Sequence, residues 1–257
     1  MSDEIIESTT TEVATVSWEE AIAKKAAEQA AMRGQLSNSV KFLSFRSGQL
    51  SIDGVALPDN KLQVVVLTFI AENAYYKGKF DPTVSQTPLC YALYNSQKDM
   101  WPSDSVKEKQ ADTCVECPNF EWGSDPQGGK GKACKTRYRI AVIPAPTDAS
   151  LPVHIQSSEL RFATIPVTSV KNFEQFMSKA ELVFSRPMFG VVTEMSVMPD
   201  PKTQYVINFT PISKIAGELM LPMLARIEDA EAAITYDMGA TDEEDAITNN
   251  TKQKPLK

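Results

Sequence analysis

The chain has 257 residues, 42% of them hydrophobic, and a formal charge of -7. That is enough apolar material to bury a core, which excludes disorder along the whole length, and the size suits one large domain or two small ones. No run approaches the roughly eighteen consecutive apolar residues of a membrane span, and the start MSDEIIESTTTEVATVS has neither the basic nor the apolar region of a signal peptide, so a soluble cytoplasmic protein with no membrane partner is expected.

Residues 1–16 carry Asp3, Glu4, Glu7 and Glu12 with no Lys or Arg and no periodicity, and read as a disordered acidic segment. An Ala-rich helix is signalled from Ser17 to Gly34, with Ser17 and Glu20 placed as a capping box. Val40–Arg46, Gln49–Ile52 and Leu62–Tyr76 read as strands separated by the turn residues Ser47-Gly48 and Pro58-Asp59-Asn60. The run QVVVLTFIAENAYY is long for one strand, so a bend or bulge is expected near Ala71–Asn73. Leu89–Tyr94 is a short strand. The stretch Asn95–Lys135 that follows is rich in Pro, Gly, Lys, Asp and Ser and holds three of the four cysteines; an irregular insertion of this length needs a staple.

Regular pattern returns at Tyr138–Ile143, closed by Pro144 and Pro146, and Leu160–Pro166 is strand-like. Val170, Phe173, Phe176, Met177 and Ala180 have helical spacing over Val170–Phe184, and Gly190–Met198 with Gln204–Pro211 forms a hairpin around Asp200-Pro201. A last helix is expected from about Ser213 to Thr235, followed by a disordered tail, 237–257, with the acidic cluster Asp242–Asp245. This order predicts a mainly β, α+β fold: an OB-like antiparallel barrel over residues 17–236, with an N-terminal helix, a C-terminal helix and a zinc-binding insertion at about 95–135. A flat α+β sheet would give the same pattern.

Four cysteines in so long a chain are too few for a disulfide scaffold and suit thiols kept free for metal. Cys114 and Cys117 form a C-x2-C knuckle, Cys90 ends a strand before it and Cys134 precedes a strand after it, so together they can give zinc its four tetrahedral ligands and tie both ends of the insertion to the sheet. The competing reading is buried thiols beside chance neighbours. With His154 the only histidine, a catalytic zinc with an open position is not indicated, and one structural Zn2+ is expected.

The segment GGKGKACKTRYR places Lys130, Lys132, Lys135, Arg137 and Arg139 together with no acidic residue among them. In an acidic protein this is a local basic arm whose glycines let backbone approach a phosphate chain, although a solvated turn would carry the same charges. It is not a P-loop, lacking G-x-x-x-x-G-K-[ST]. Phe42, Phe45, Tyr75, Tyr76, Tyr91, Tyr94, Trp101, Phe120 and Trp122 lie in the elements around it, where some could stack on bases and the others pack in the core. Trp101 and Trp122, flanked by polar residues, are the best placed to be exposed.

The run Cys90-Tyr91-Ala92-Leu93, then C-V-E-C-P-N, W-G-S, G-G-K-G-K-A-C-K and R-Y-R-I-A-V-I-P, resembles a group of tailed-bacteriophage proteins regarded as single-stranded DNA-binding proteins with a four-cysteine zinc site. The resemblance covers about residues 88–144. It implies Cys90, Cys114, Cys117 and Cys134 as the ligands and Lys130, Lys132, Lys135, Arg137 and Arg139 as the basic arm; Tyr138 stands where a basic residue is common in that group. The expectation is a non-enzymatic, sequence-independent binder of single-stranded DNA in phage replication or recombination, in the host-cell cytoplasm, with Tyr91, Tyr94, Trp101 and Trp122 stacking on bases. Replication proteins are further candidate partners through the acidic tail. The alternative is a structural or protein-interaction zinc protein of a virion or of transcription regulation. A metalloenzyme is the weakest reading, since there is no spaced carboxylate or histidine motif.

Overall fold

The computed structural model describes residues 21–22, 24–25, 28–29, 41–78, 87–94, 100–126, 128–146 and 154–236. The expected disordered segment 1–16, the capping pair Ser17 and Glu20, and the tail with its Asp242–Asp245 cluster lie outside them. The chain divides into two compact units, 1–39 and 40–257. In the first, the described residues are helical, as the Ala-rich pattern predicts, and Lys25 pairs with Glu28 one turn on at 2.7 Å.

The second unit is built on antiparallel strands. β1 (Leu43–Ser44), β2 (Ser51–Ile52) and β3 (Val55–Ala56) form a small sheet. β2 and β3 turn through Asp53 and Gly54, both at positive φ, the Asp-Gly two-residue hairpin that matches strand twist. The main sheet has six strands: β4 (Lys61–Tyr75), β5 (Cys90–Leu93), β6 (Cys134–Pro144), β7 (Arg161–Ile165), β8 (Val191–Asp200) and β9 (Gln204–Lys214), in the order β7-β6-β4-β8-β9, with β5 also on β4. β4 is the spine. Its first residues pair with β8, its last with β5, and nearly its whole length with β6.

Antiparallel α+β architecture is therefore as expected. The outer strands β7 and β9 share no ladder, however, so among the described residues the sheet is open and the expected barrel closure is not seen. The bulge in β4 also falls elsewhere: the register with β6 shifts between Val66 and Thr68, not near Ala71–Asn73. Its consequence is a change of parity. Val64 and Val66 face one side of the sheet with Ile140 and Val142, and past the bulge that side is continued by Phe69, while Ile70 packs on the other.

Each face carries a helix. α1 (Val167–Phe184) sets Phe173, Phe176 and Ala180 on Val64, Val66, Ile140, Val142, Ile165 and Phe209. α2 (Met220–Ala233) sets Met223 and Ala230 on Val65, Leu67, Ala141, Ile143 and Phe162. Alternate residues of the same strands thus fill two cores, as a period of two requires. α1 also blunts the sheet edge: Ile207 on β9 donates its N–H to Ser169 Oγ at 2.8 Å and accepts from Asn172 Nδ2 at 3.0 Å. α2 begins later than the sequence suggests, because β9 runs on to Lys214 and a short 3-10 turn, Gly217–Leu219, intervenes. Pro222, tolerated only in a first helical turn, fits that later start.

Candidate metal centre and nucleic-acid interface

The strand register places the cysteines. Cys90 on β5 and Cys134 on β6 both pair with Tyr75 of β4, so they flank one position of the spine from either side. Side chains directly opposite one another share a face, and this is the α1 face. The insertion folds back over the same end: Cys114 donates its N–H to Met100 O at 2.7 Å, and Ser103 donates to Tyr91 O at 2.9 Å. The Cys114–Cys117 knuckle closes with N–H of Cys117 to Cys114 O and N–H of Phe120 to Cys117 O, running into a 3-10 turn at Pro118–Phe120.

All four cysteines are buried and reduced, and all four line one cavity of ≈ 20 Å³ together with Asn73, Tyr75, Gln110 and Phe120. That volume suits one ion or one water; organic-ligand pockets are of the order of hundreds of Å³. Burial raises the Cys134 thiol to about 12, with Cys114, Cys117 and Cys90 adding to it. Burial also raises Cys90, against a hydrogen bond from the Gln110 backbone N–H, and Cys114, against one from the Asn73 side chain. The sulfurs are therefore close enough to feel one another, and two of them already hold polar donors that would stabilise a thiolate. They surround the cavity without converging: among the described residues no three His, Cys, Asp or Glu side chains form a ready metal-ion site. The donor set, four soft thiolates with no histidine or carboxylate, is nonetheless one that zinc accepts.

The basic arm divides in two. Gly128 and Gly129, both at positive φ, make a turn that other residues would strain, and Gly131 O ties the loop by accepting from the N–H groups of Gly123 and Asp125. Lys130 is exposed there. Lys132 Nζ stands 3.5 Å from the Phe120 ring centre and 5.1 Å from that of Trp122. Trp122 is 79% exposed. Lys135 is bound to Asp125 at 2.7 Å.

The other half turns inward. Arg139 is fully buried: its Nη2 and Nε donate to Glu72 Oε1 at 2.6 and 3.1 Å, and its Nη1 donates to the carbonyls of Ile234 and Tyr236 at 3.3 and 2.6 Å. A guanidinium there complements the carbonyl end of α2, with the Tyr236 ring stacked 4.2 Å away. Arg137 Nε reaches Glu72 Oε2 at 2.7 Å and the guanidinium lies over Tyr76. Burial would lower Arg137, but the Glu72 carboxylate overrides it and holds the arginine above its usual range. Arg139 is thus an internal ion pair and not a phosphate contact.

Tyr91, expected to stack on bases, is buried with its hydroxyl 2.7 Å from Ser105 Oγ and belongs to the core. Tyr94 and Trp101 are each 45% exposed. Sequence reasoning missed Glu72 and Asn73, polar residues inside an apolar strand. Glu72 faces Arg137 and Arg139 across the ladder, and Asn73 Oδ1 accepts from Thr136 at 2.6 Å. A signal was present: a carboxylate and an amide amid so long an apolar run require partners.

No helix among the described residues is long and apolar enough to cross a membrane. Comparison with known protein families, curated proteins and solved structures returns no match.

Proposed function

We propose that this chain is a non-enzymatic single-stranded DNA-binding protein of the tailed-phage type that residues 88–144 resemble, acting in DNA replication or recombination. Cys90, Cys114, Cys117 and Cys134 would hold one structural Zn2+ that fixes the insertion to the end of β4, β5 and β6. The OB-like element of this reading is an antiparallel sheet presenting an insertion, open among the described residues.

The observation that carries the proposal is Trp122, the most exposed aromatic side chain described, standing beside Lys132 on a cysteine-anchored loop. A large indole held in water beside a cation contributes nothing to a core, and it has the two elements a single-strand site needs: a stacking face and a charge for phosphate. Trp101, Tyr94, Lys130 and Lys132 complete the contacting set, with Lys135 reached once it exchanges Asp125 for phosphate. Arg139 and Tyr91 are not in it. The acidic cluster Asp242–Asp245 is assigned to protein partners of the replication machinery.

The test is fluorescence anisotropy with labelled oligo-dT and an equal-length duplex at two salt concentrations, with zinc content measured on the same sample. Tight, salt-sensitive binding to the single strand with one zinc per chain is expected. Zinc without DNA binding would instead support a protein-interaction module, for which exposed Val115 at the knuckle tip offers a contact. A preference for duplex would overturn the single-strand reading.

A further inference from the structure

Among the described residues, the α1 face of the main sheet is left partly uncovered between α1 and the cysteine cavity. The register defines what lies there. Ala71 of β4 pairs with Tyr138 of β6, and Tyr94 donates its N–H to Ala71 O at 2.9 Å from the other side. Tyr94, Ala71 and Tyr138 therefore form one row across three strands. Phe69, one step along β4 on the same face, closes the row toward α1, its ring 5.3 Å from that of Tyr138 and edge-on. Phe69 is 36% exposed, although it sits mid-strand next to buried Thr68, and Tyr94 is 45% exposed.

The small residue in the middle matters. Neighbouring strands are about 4.8 Å apart, so the two tyrosine backbones stand roughly 10 Å from each other with only a methyl group between them. That spacing leaves a slot about as wide as one planar ring in stacking contact with two others. Tyr138 is held in place at one wall by its hydroxyl, which donates to Glu174 on α1 at 3.0 Å. The slot lies four residues along the strands from the Cys90–Tyr75–Cys134 row, or about 13 Å, and β6, which carries Tyr138, is entered directly from the basic arm.

We infer that Tyr94 and Tyr138, over the floor of Ala71 and against Phe69, form a stacking slot for one unpaired base of the single-stranded DNA whose phosphates run along the Lys130–Lys135 arm. This rests on the proposed DNA-binding function and adds to it a base subsite separate from Trp122. Phe69, Ala71 and Tyr138 had no functional role before. The occupant is a base of the bound strand because exposed aromatic rings flank the row and β6 leads from the Lys130–Lys135 arm into Tyr138.

The experiment compares wild type, Ala71→Leu and Tyr94→Ala in binding to an oligo-dT and to the same oligonucleotide with abasic sites replacing every base. Ala71→Leu fills the slot without removing an aromatic ring, and Leu is at home on a half-exposed strand position. Both variants are expected to unfold like wild type, to bind oligo-dT roughly 5- to 100-fold more weakly, and to match wild type on the abasic strand. Photo-crosslinking of a bromodeoxyuridine strand to wild type, read by peptide mapping, is expected to mark Tyr94 or Tyr138, and this readout does not depend on any variant folding. Undiminished oligo-dT binding by both variants, or crosslinks at Trp122 alone, would overturn the slot and leave the DNA-binding reading standing. Failure of wild type to bind oligo-dT would overturn both.

Discussion

The Glu72 carboxylate and the Arg139 guanidinium meet at 2.6 Å with no exposure on either side, pinning the spine of the sheet to the end of α2. Desolvating two charges costs several kcal/mol, and only good geometry with further hydrogen bonds offsets it. Both are present: Arg137 takes the second carboxylate oxygen, and the carbonyls of Ile234 and Tyr236 take the remaining guanidinium donor. Glu72→Ala should therefore destabilise the fold by about 3–5 kcal/mol, because it strands a buried arginine. Glu72→Leu with Arg139→Met should cost less than the sum of the single variants. Urea unfolding of the four proteins measures the coupling, and additivity would show that the pair acts independently.

The sequence made most elements legible because their apolar periods are clean. β4, α1 and the β8–β9 hairpin lie where alternation, helical spacing and Asp200-Pro201 put them, while β6 starts at Cys134, four residues before the expected Tyr138. The bulge was misplaced because nothing in VVVLTF distinguishes one backbone step from the next; only the pairing with β6 reveals that Leu67 is skipped in the register. That same shift decides which side Glu72 takes, and so brings it to the face of Arg137 and Arg139. A basic run read as a surface patch is therefore divided between an exposed loop and a buried carboxylate. That the four cysteines come to line one cavity was foreshadowed by their spacing, a knuckle flanked by two strand-end thiols. The aromatic slot could not, because it depends on three strands brought together by pairing.

Loss of one thiol should separate the insertion from the rest. Cys117→Ser is expected to reduce bound zinc from one per chain to none, to expose the loops of residues 100–133 to protease, and to weaken DNA binding while strand signals in circular dichroism persist. Burial holds Cys90, Cys114 and Cys134 above the usual thiol range, so at neutral pH these groups are protonated before metal arrives and must release protons to bind it. Zinc affinity should accordingly fall as pH is lowered, with proton release measurable in weakly buffered solution. Full zinc occupancy in Cys117→Ser would remove that residue from the ligand set.

The turn of the β8–β9 hairpin carries its own pH dependence. Asp200 Oδ1 accepts from the Thr203 hydroxyl at 2.8 Å and from the N–H groups of Thr203 and Lys202 at 2.8 and 2.9 Å, which lowers its pKa in the folded protein. A carboxylate whose folded pKa lies below its unfolded one stabilises the fold at pH values above the unfolded value. That contribution is lost as pH falls through the folded one. Asp200→Asn keeps the acceptor and loses the charge, so its melting temperature should fall below wild type at pH 7 and converge with it as acidification protonates Asp200 in the folded protein. A constant difference at every pH would assign the effect to shape.

The arm's two inward arginines dictate how its proposed DNA role must be tested. Arg137→Glu would set a second carboxylate beside buried Glu72, so weakened binding in that variant would report damage to the fold as readily as a lost phosphate contact. Lys130→Glu with Lys132→Glu avoids the buried carboxylate, since Lys130 is exposed and Lys132 lies over the Phe120 and Trp122 rings; because Lys132 also acts on the nearby Cys134 thiol, zinc content is measured on the same variant. Each lysine that meets a phosphate releases condensed counterions, so removing two contacts should flatten the log–log salt dependence of single-strand binding by about 1.4, at roughly 0.7 per contact. Trp122→Ala should do the opposite: affinity falls by about 1–3 kcal/mol at every salt concentration while the slope is unchanged. If the double lysine variant keeps the wild-type slope, the arm does not follow the phosphates, and binding must be sought on the sheet face alone.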